Sequence, residues 1–436
     1  MNLYLPIEIY NREFQSKLLI AMESASRGMK VYIGRVSEYL LRDFFVPGIV
    51  LQKSITPTPR RLKELEFYKK KKFIVTTLDE EVGLVEFNAN YVKERYSNKS
   101  LNLTDKVFTW GKFDYDNLSD KFVKHKRKFI KSGNPRLDYW RKDFEFFFKK
   151  KKLNHKNYIL FSFNFALRSQ KEFSKYLKYV MTDAKYRERG FTVNRLKQIR
   201  KDSFKIFNKF SKLINALSKE TNLMIIVRPH PIDKLSNYKF FKKYRNVKVI
   251  TKGSISEWIF NAKVVVHSGC AGGLEASIRG FPTISYIPFK STHCHHFSNK
   301  FSKKTKNINE CLKIIKKMSI KKSNFKKTNL KDFKIRAYNL SSKKPSYKII
   351  ADEFVKLIKL NKFEGQNNDL LLNFKFKVRD MRSKFLKLNY GNIKFSLFDK
   401  EETMKTFNVL KELNPKFNKL KLNFLKKDII QIKTAS

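Results

Sequence analysis

The fold class is decided by the stretch Leu223-Met224-Ile225-Ile226-Val227-Arg228-Pro229-His230-Pro231. Its first five residues are apolar and partly β-branched, which predicts a short buried strand. The two prolines end that strand, because proline lacks an N–H and disfavours helix at the residue before it. A cation and an imidazole, Arg228 and His230, are therefore placed at the carboxyl end of a strand.

A second apolar run, Val264-Val265-Val266-His267, leads into the turn Ser268-Gly269-Cys270-Ala271-Gly272-Gly273 and then into a helical stretch from Leu274 to Arg279. A helix that starts after such a turn offers unpaired N–H groups and a positive dipole end to an anion. Two strand ends of this kind predict a parallel sheet with an anion-binding site at the carboxyl ends of its strands.

Short apolar runs alternate with amphipathic segments along most of the chain, which predicts an α/β protein of two Rossmann-like domains. In the first half the strand candidates are Leu3 to Ile7, Lys30 to Ile33, Gly48 to Leu51, Phe73 to Thr76, Lys106 to Thr109 and Lys128 to Lys131, and the helix candidates are Arg12 to Arg27, Pro59 to Tyr68 and Ala89 to Tyr96. In the second half the strands are expected at 158–161, 223–227, 247–250, 263–267 and 283–287, and the helices at 203–218, 254–261 and 273–279.

The predicted boundaries give an N-terminal Rossmann-like domain over 1–148 and a C-terminal one over 149–330. The segment Phe146 to Lys156 is expected to be the linker, and residues 165–200 a polar insertion. Residues 331–436 are rich in Lys and Phe with few turn signals, so we expect a basic, mostly helical C-terminal extension.

The chain carries 95 Lys and Arg against 39 Asp and Glu, a formal charge of +56. Such a field attracts nucleic acid, an anionic membrane surface or phosphorylated substrates, but a bias towards residues with A/T-rich codons would produce the same charge. No RRM, KH or helix-turn-helix pattern supports the non-enzymatic alternative, a basic nucleic-acid-binding protein. Three cysteines, no apolar run of about 20 residues and no signal peptide predict a cytoplasmic protein, with the inner face of the membrane as a possible place of attachment.

Six phrases lie at predicted strand ends: Leu78-Asp79-Glu80-Glu81, Val107-Phe108-Thr109-Trp110-Gly111, Ser132-Gly133-Asn134-Pro135-Arg136-Leu137-Asp138, Phe161-Ser162-Phe163-Asn164, Arg228-Pro229-His230-Pro231, and Ser268 to Ala276 followed by Gly280-Phe281-Pro282. In this order they resemble the bacterial surface carbohydrate biosynthesis proteins, whose members are similar to GT-B glycosyltransferases. The glycerophosphotransferases of teichoic acid synthesis carry an element similar to the third phrase. The resemblance covers residues 1 to about 290.

The resemblance implies that the C-terminal domain holds a nucleotide-sugar donor, with a CMP-linked sugar as one candidate, and that the N-terminal domain holds a carbohydrate or lipid-linked acceptor. It implies a glycosyltransferase of surface polysaccharide biosynthesis that needs no cofactor or metal if helix dipole, Arg and His meet the diphosphate charge. A glycerophosphotransferase and a sugar-nucleotide 2-epimerase are the enzymatic alternatives.

The nucleotide-sugar-binding residues expected on this basis are Asn164, Arg228, His230, Ser268, Gly269, Gly272, Gly273 and Glu275. Glu275 would accept hydrogen bonds from the donor ribose, or it would only stabilise the helix dipole. His230 would donate to a phosphate or to the leaving oxygen, or it would only cap a strand end. The serine and the glycines would let the backbone approach a phosphate, or they would only form a tight turn.

In the N-terminal domain Glu80 or Glu81 is the candidate base for the acceptor hydroxyl, with a solvated acidic turn as the alternative. Arg136 could reach a phosphate from the interdomain side or only brace the Gly133-Asn134-Pro135 turn. His293, Cys294, His295 and His296 are adjacent in sequence and lack the separated pairs of a zinc site, so we expect an acceptor-binding or lid loop there and no metal.

Overall fold

The computed structural model describes residues 1–35, 46–81, 94–151, 155–182, 191–291, 296–320, 331–361 and 397–435, with a few single residues between these ranges. Contacts divide the chain into two units. Unit 1 is formed by Met1–Gly83, Tyr91–Lys150 and Asp332–Ser436, and unit 2 is built around Lys151–Lys331.

The strands, numbered in chain order, are β1 Asn2–Ile7, β2 Lys30–Arg35, β3 Ile49–Gln52, β4 Ile74–Leu78, β5 Lys106–Thr109, β6 Phe129–Lys131, β7 Tyr158–Ser162, β8 Ile225–Arg228, β9 Val247–Val249, β10 Ala262–His267, β11 Thr283–Tyr286, β12 Lys303–Thr305, β13 Leu420–Lys426 and β14 Ile429–Thr434. The predicted strands are all present, within two residues of their expected bounds.

The helices are α1 Tyr10–Ala25, α2 Pro59–Lys70, α3 Asn98–Asn102, α4 Lys112–Lys121, α5 Pro135–Asp138, α6 Glu145–Lys150, α7 Gln170–Met181, α8 Val193–Glu220, α9 Ile255–Phe260, α10 Ala271–Ile278, α11 His296–Asn299, α12 Ile308–Ile320, α13 Lys331–Arg336, α14 Tyr338–Ser341, α15 Ser346–Leu360 and α16 Lys400–Lys411. Short 3₁₀ helices cover Val123–Lys128, Lys142–Phe144, Leu235–Lys243 and Pro415–Lys419. The predicted helix from Ala89 to Tyr96 lies largely outside the described residues.

Unit 1 contains a sheet with the strand order β13-β14-β2-β1-β3-β4-β5-β6, in which β1 to β6 run parallel. The side chains of β1, β3 and β4 are buried throughout, as strands covered on both faces require. Helix α1 is buried at almost every position from Glu13 onward, so it is a core helix.

Unit 2 contains an all-parallel sheet with the order β12-β11-β10-β7-β8-β9. One face packs against α8 and α12 through a cluster that includes Ile159, Phe210, Ile214 and Ile315. Two units of this kind confirm the predicted fold class, α/β with two Rossmann-like domains.

The expected linker is partly a helix. The run Phe146-Phe147-Phe148 belongs to α6, and Phe147 and Phe148 are buried against Tyr139 and Trp140. Aromatic burial therefore outweighs the charged composition of this segment, and the division between the units falls at its end, between Lys150 and Lys151.

The expected polar insertion contains ordered helices. Ser169 and Glu172 form a capping box at the start of α7, and α8 begins ten residues earlier than predicted, because Thr192 caps it by accepting from the Arg195 N–H. The early turns of α8 bury Leu196 in a small cluster with Phe173 and Val180 of α7.

The C-terminal residues are helical in part, but they do not form a separate extension. Strand β14 pairs antiparallel with β2, and β13 pairs with β14, so both extend the sheet of unit 1. Helix α15 packs against α1. No helix among the described residues is long and apolar enough to cross a bilayer.

Candidate functional site

The carboxyl ends of β7 and β10 form the topological switch point of unit 2. Strands β8 and β9 lie on one side of β7, whereas β10, β11 and β12 lie on the other. In open parallel sheets ligands bind in the crevice that this reversal creates. Asn164 follows β7 and Ser268 follows β10, so two predicted site residues lie on either side of this point.

The structure brings these two strand-end loops into direct contact. The Asn164 amide Nδ2 donates to the Gly269 carbonyl at 2.8 Å, and the Ser268 hydroxyl lies 3.4 Å from the Asn164 Oδ1. Asn164 is half-buried, whereas Ser268 is buried. Gly269 has a φ of +100°, which L-residues with a side chain rarely adopt, so its glycine is required by the backbone.

His267, at the end of β10, is a buried neutral imidazole. Its Nδ1 accepts from the Gly269 N–H at 2.9 Å, so Nε2 carries the proton and donates to the Ser302 hydroxyl at 2.8 Å. Burial lowers the pKa of His267 to about 3. This tautomer cannot take a proton from Ser302, so the pair is not a nucleophile and its base.

Helix α10 begins at Ala271, two to three residues before the predicted start, and the Cys270 sulfur accepts from the Gly273 N–H at 3.4 Å. The two glycines therefore lie in the first helical turn, where they allow the helix backbone to pack closely against Ser162 and His267. A Cβ on Gly272 would lie 2.6 Å from the Ser162 Oγ, and one on Gly273 would lie 2.3 Å from the His267 ring. Packing thus requires small residues here, and their contact with a nucleotide stays a prediction.

Glu275 was expected in the first turn of its helix, but the earlier helix start makes it the fifth residue. Its side chain is fully buried, and the Ser256 hydroxyl of α9 donates to its Oε2 at 2.5 Å. The carboxylate thus joins α10 to α9, and its proposed contact with a ribose stays a prediction.

Arg228 and His230 lie at the carboxyl end of β8, as predicted. The buried Arg228 guanidinium donates to the carbonyls of Lys252 and Gly253 at 2.6 and 2.7 Å and lies over the Trp258 ring. Burial lowers the pKa of Arg228 to about 10. The half-buried His230 accepts from the Ile232 N–H through Nδ1 at 3.3 Å.

Asp233 connects the two loops that carry Asn164 and His230, and sequence reasoning missed it. Its carboxylate accepts from the Leu167 N–H at 2.6 Å and from the Tyr238 hydroxyl at 2.5 Å. Its own N–H donates to the His230 carbonyl at 2.8 Å. Burial raises the pKa of Asp233 to about 6. An aspartate within a loop gives no sequence signal for these contacts.

The switch point of unit 1 lies between β1 and β3. Strand β2 lies on one side of β1, whereas β3, β4, β5 and β6 follow one another on the other side. Glu8 follows β1 and Lys53 follows β3, and their side chains form an ion pair. Sequence reasoning missed both residues, although each lies immediately beyond a predicted strand.

The predicted acidic run lies at the end of β4, next to this point. Asp79 is buried and accepts two hydrogen bonds from the Arg95 guanidinium, at 2.6 and 2.8 Å. Glu80 is buried as well, with Oε1 3.2 Å from the fully buried Lys17 ammonium and Oε2 accepting from the Asn134 amide at 3.4 Å. Both side chains therefore have structural partners.

Glu81 differs from its neighbours because its side chain is 47% exposed. Desolvation alone would raise the pKa of Glu81, but the charges of Arg95 and Arg12, each 3.3 Å away, hold that pKa well below its usual range. Glu81 is therefore an ionised and accessible carboxylate. The two candidate bases differ in exposure, because Glu81 is accessible and Glu80 is buried.

The segment Gly133 to Asp138 forms hydrogen bonds with the C-terminal part of the chain. Asp138 is fully buried and accepts from the Asn339 amide at 2.7 Å and from the N–H groups of Ser346 and Tyr347 at 3.0 Å. Burial raises the pKa of Asp138 to about 7. Asn134 caps the short helix α5 by accepting from the Arg136 N–H, and Arg136 is buried. The phosphate contact of Arg136 stays a prediction.

Asp114, in the first turn of α4, is another buried carboxyl group of unit 1. Its side chain is fully buried and lies beside the Trp110 backbone. Burial raises the pKa of Asp114 to about 7, against the opposing charge of Arg336.

His293, Cys294 and His295 lie outside the described residues, as does the side chain of His296, so the expected loop role stays a prediction. Within the described part of the chain no group of three or more His, Cys, Asp or Glu side chains could hold a metal ion.

No protein family model matches the sequence, and no curated protein matches it. Solved structures match at low identity. The wall teichoic acid polymerase TagF is 12% identical with a TM-score of 0.50, and the match covers 82% of this chain and 88% of that one. The UDP-GlcNAc 2-epimerase of Neisseria meningitidis is 12% identical with a TM-score of 0.47, covering 82% of this chain and 100% of that one.

The UDP-GlcNAc 2-epimerase of Methanocaldococcus jannaschii is 15% identical with a TM-score of 0.45, and the match covers 83% of this chain and 100% of that one. At these identities the likeness concerns the fold alone, which is GT-B-like. The GT-B-like fold that the resemblance implied is therefore confirmed.

Proposed function

We propose that this protein is a GT-B-type transferase of surface polysaccharide biosynthesis, which moves a sugar from a nucleotide-linked donor to a carbohydrate or lipid-linked acceptor in the cytoplasm. The observation that supports it best is the joining of Asn164 to Gly269 across the switch point of unit 2. Open parallel sheets bind their ligands at this position.

The donor would occupy the carboxyl end of the unit 2 sheet. The half-buried Asn164 and His230 offer an amide and an imidazole to a nucleotide, and Asp233 holds their loops together. The buried Arg228 adds a positive charge close by, although it already donates to two carbonyls. A diphosphate would thus meet polar groups that are fixed in place before it binds, which is the most effective arrangement for stabilising charge.

The acceptor would bind on unit 1, with Glu81 rather than Glu80 as the carboxylate for its hydroxyl. Glu81 is accessible, whereas Glu80 is buried beside Lys17. A carboxylate with a depressed pKa is a weak base. Its contribution would therefore be to orient the hydroxyl and to hydrogen-bond its proton as the new bond forms.

A glycerophosphotransferase is the second candidate, because TagF, a wall teichoic acid polymerase, shares the fold at a TM-score of 0.50. The two reactions differ in the transferred group, a sugar or a polyol phosphate. Both use a nucleotide-linked donor and an acceptor hydroxyl, so the donor decides between them.

Thermal unfolding of the full chain in the presence of CMP-, UDP-, GDP- and CDP-linked sugars and CDP-glycerol tests the proposal. A donor that binds the native state increases the free energy of unfolding by RT ln(1 + [L]/Kd) and so raises the unfolding temperature. We expect one nucleotide series to do so and calorimetry to show a single site. Turnover of that compound without an acceptor, to an isomeric nucleotide sugar, would instead identify an epimerase.

Variants locate the site. Asn164→Ala and His230→Ala should each weaken donor binding by roughly ten- to a hundredfold, as the loss of a hydrogen bond to a charged group implies. Asn208→Ala, on an exposed position of α8, is the matched control and should bind as the wild type does. Unchanged donor affinity in both site variants would remove the donor from this end of the sheet.

A further inference from the structure

The outer face of α8 carries a continuous row of lysines. At about 100° per residue, the spacings of four, four, four, three and seven place all of them within roughly 120° of the helix circumference. All six side chains are exposed: Lys197, Lys201, Lys205, Lys209, Lys212 and Lys219. The acidic residues of this helix are the buried Asp202 and the terminal Glu220.

Such a row is unfavourable for the helix by itself, because like charges four residues apart repel. Helix α15 shows the contrasting arrangement, in which Asp352 pairs with Arg27 and Lys344. The apolar side of α8 is committed to the core through residues such as Phe210 and Ile214, so the lysines face away from it.

Helix α12 continues the same charged surface. Its residues Leu312 and Ile315 pack into the same core cluster as α8, and Lys316 pairs with Glu220 at the end of α8. The exposed lysines of α12 are Lys313, Lys316 and Lys317. We call the outer side of α8 and α12 the lysine face; it carries six plus three, or nine, exposed lysines against the exposed Glu220 and Glu310.

We propose that the lysine face binds the anionic phospholipid surface of a bilayer. A two-helix layer is about 20 Å wide, more than the roughly 12 Å of a DNA major groove, so it does not fit there as a single helix does. Single-stranded nucleic acid needs exposed aromatic rings for stacking. In α8 the aromatic residues Phe207 and Phe210 are buried and Phe204 is half-buried, and α12 contains none.

The binding would be electrostatic and reversible. Because the apolar side of both helices is in the core, no segment of the lysine face is available to enter the hydrocarbon region. Each lysine near an anionic surface strengthens binding by about fivefold at physiological salt, and the effect falls away within a Debye length. Such binding would not depend on which reaction the protein performs.

Sedimentation of the full chain with phosphatidylcholine vesicles, with and without phosphatidylglycerol, tests the proposal. We expect binding only to the anionic vesicles, and its loss in high salt. The variant Lys197→Glu/Lys201→Glu/Lys209→Glu/Lys212→Glu leaves the contact of Lys205 with Phe289 in place. At about fivefold per lysine, it should lower the partition coefficient by roughly several hundredfold or more.

The matched control changes the same number of exposed lysines, and the same total charge, in unit 1: Lys63→Glu/Lys124→Glu/Lys405→Glu/Lys416→Glu. Its partition coefficient should fall by less than about threefold, because these positions are distributed over the surface. An equal loss in the two variants would show that total charge alone acts and would overturn the proposal.

Two further measurements complete the test. Lysine-to-glutamine versions of both variants should keep the same order with smaller losses, and they replace the charge reversals if circular dichroism shows that one of these is unfolded. Duplex DNA at an equal phosphate concentration should leave vesicle binding in place. Release of the wild type from vesicles by that DNA, with DNA affinity lost in the lysine-face variant, would identify nucleic acid as the partner and refute lipid binding.

Discussion

Replacement of Gly273 by alanine should destabilise the protein, although alanine is the better helix former. A Cβ on Gly273 would lie 2.3 to 2.4 Å from three atoms of the His267 ring, about 1 Å inside the 3.4 Å at which ordinary contact begins. The ring is buried and bonded at both nitrogens, so it cannot withdraw without breaking a hydrogen bond. Overpacking costs about 1–3 kcal/mol, whereas alanine gains roughly 0.5–1 kcal/mol over glycine in a helix. We therefore expect Gly273→Ala to lower the free energy of unfolding by about 1–2 kcal/mol.

Gly272→Ala is the matched control, because it lies in the same helical turn and has the same effect on the unfolded chain. Its Cβ would meet the Ser162 Oγ at 2.6 Å, and a serine hydroxyl can rotate away more easily than a buried ring. The free energies of unfolding are measured in urea at equal slope. We expect Gly272→Ala to cost less than Gly273→Ala.

The double variant with His267→Ala isolates the contact. Once the ring is absent, Gly273→Ala should stabilise the protein by the roughly 0.5–1 kcal/mol that alanine gains over glycine in a helix. The coupling energy should therefore exceed the cost of the single change by about that amount. A Gly273→Ala protein as stable as the wild type, or a cost that persists without the His267 ring, would show that packing against His267 is not the reason for this glycine.

Three further predictions concern unit 1. The pKa of Asp114 is raised to about 7, so between about pH 4 and pH 7 the native protein keeps a proton on Asp114 that the unfolded chain has lost. The free energy of unfolding should therefore fall by up to about 4 kcal/mol as pH rises through that range. Asp114→Asn should remove this contribution from the stability profile measured by urea unfolding at several pH values. Glu81→Gln should lower turnover without changing donor affinity. Glu80→Gln should reduce stability by about 3–5 kcal/mol, because it removes the carboxylate that pairs with the buried Lys17 ammonium. Enzyme kinetics and urea unfolding of both variants check this. Asn339→Ala should cost about 1–3 kcal/mol and expose the C-terminal residues to limited proteolysis, since Asn339 bonds to Asp138.

The central strands could be predicted because their signal is local. A buried parallel strand such as Tyr158–Ser162 is a short, mostly apolar run, and neighbouring residues suffice to identify it. The pairing of β14 with β2 is not local, since Gln431 lies opposite Tyr32. Nothing in the lysine-rich tail specifies that register, so its strands were missed.

The start of α10 was misplaced for a different reason. Glycine has a low helix propensity, which favours a turn over Gly272 and Gly273, but close packing on Ser162 and His267 outweighs that preference. The sequence does not show that these glycines lie next to Ser162 and His267, which is the reason small residues are needed there.

For the candidate site, the sequence predicts which polar residues lie at the ends of strands, but not which side chains they contact. Asp79, Glu80 and Glu81 could be placed after β4, but their partners Arg12, Lys17 and Arg95 come from other parts of the chain. Those partners decide which carboxylate is accessible.

The two switch points differ in charge, and this difference fits the proposed division of roles. In unit 1 the point is spanned by the Glu8–Lys53 ion pair, so an anion that bound there would have to compete with a carboxylate for the ammonium group. In unit 2 the point is spanned by the neutral Asn164 and Ser268. The guanidinium of Arg228 donates to two backbone carbonyls, whereas the nearby Glu257 carboxylate pairs with Lys151. A phosphate in unit 2 would therefore gain the field of Arg228 without breaking an internal ion pair. This is why we propose that the charged donor binds to unit 2 and the uncharged acceptor hydroxyl to unit 1.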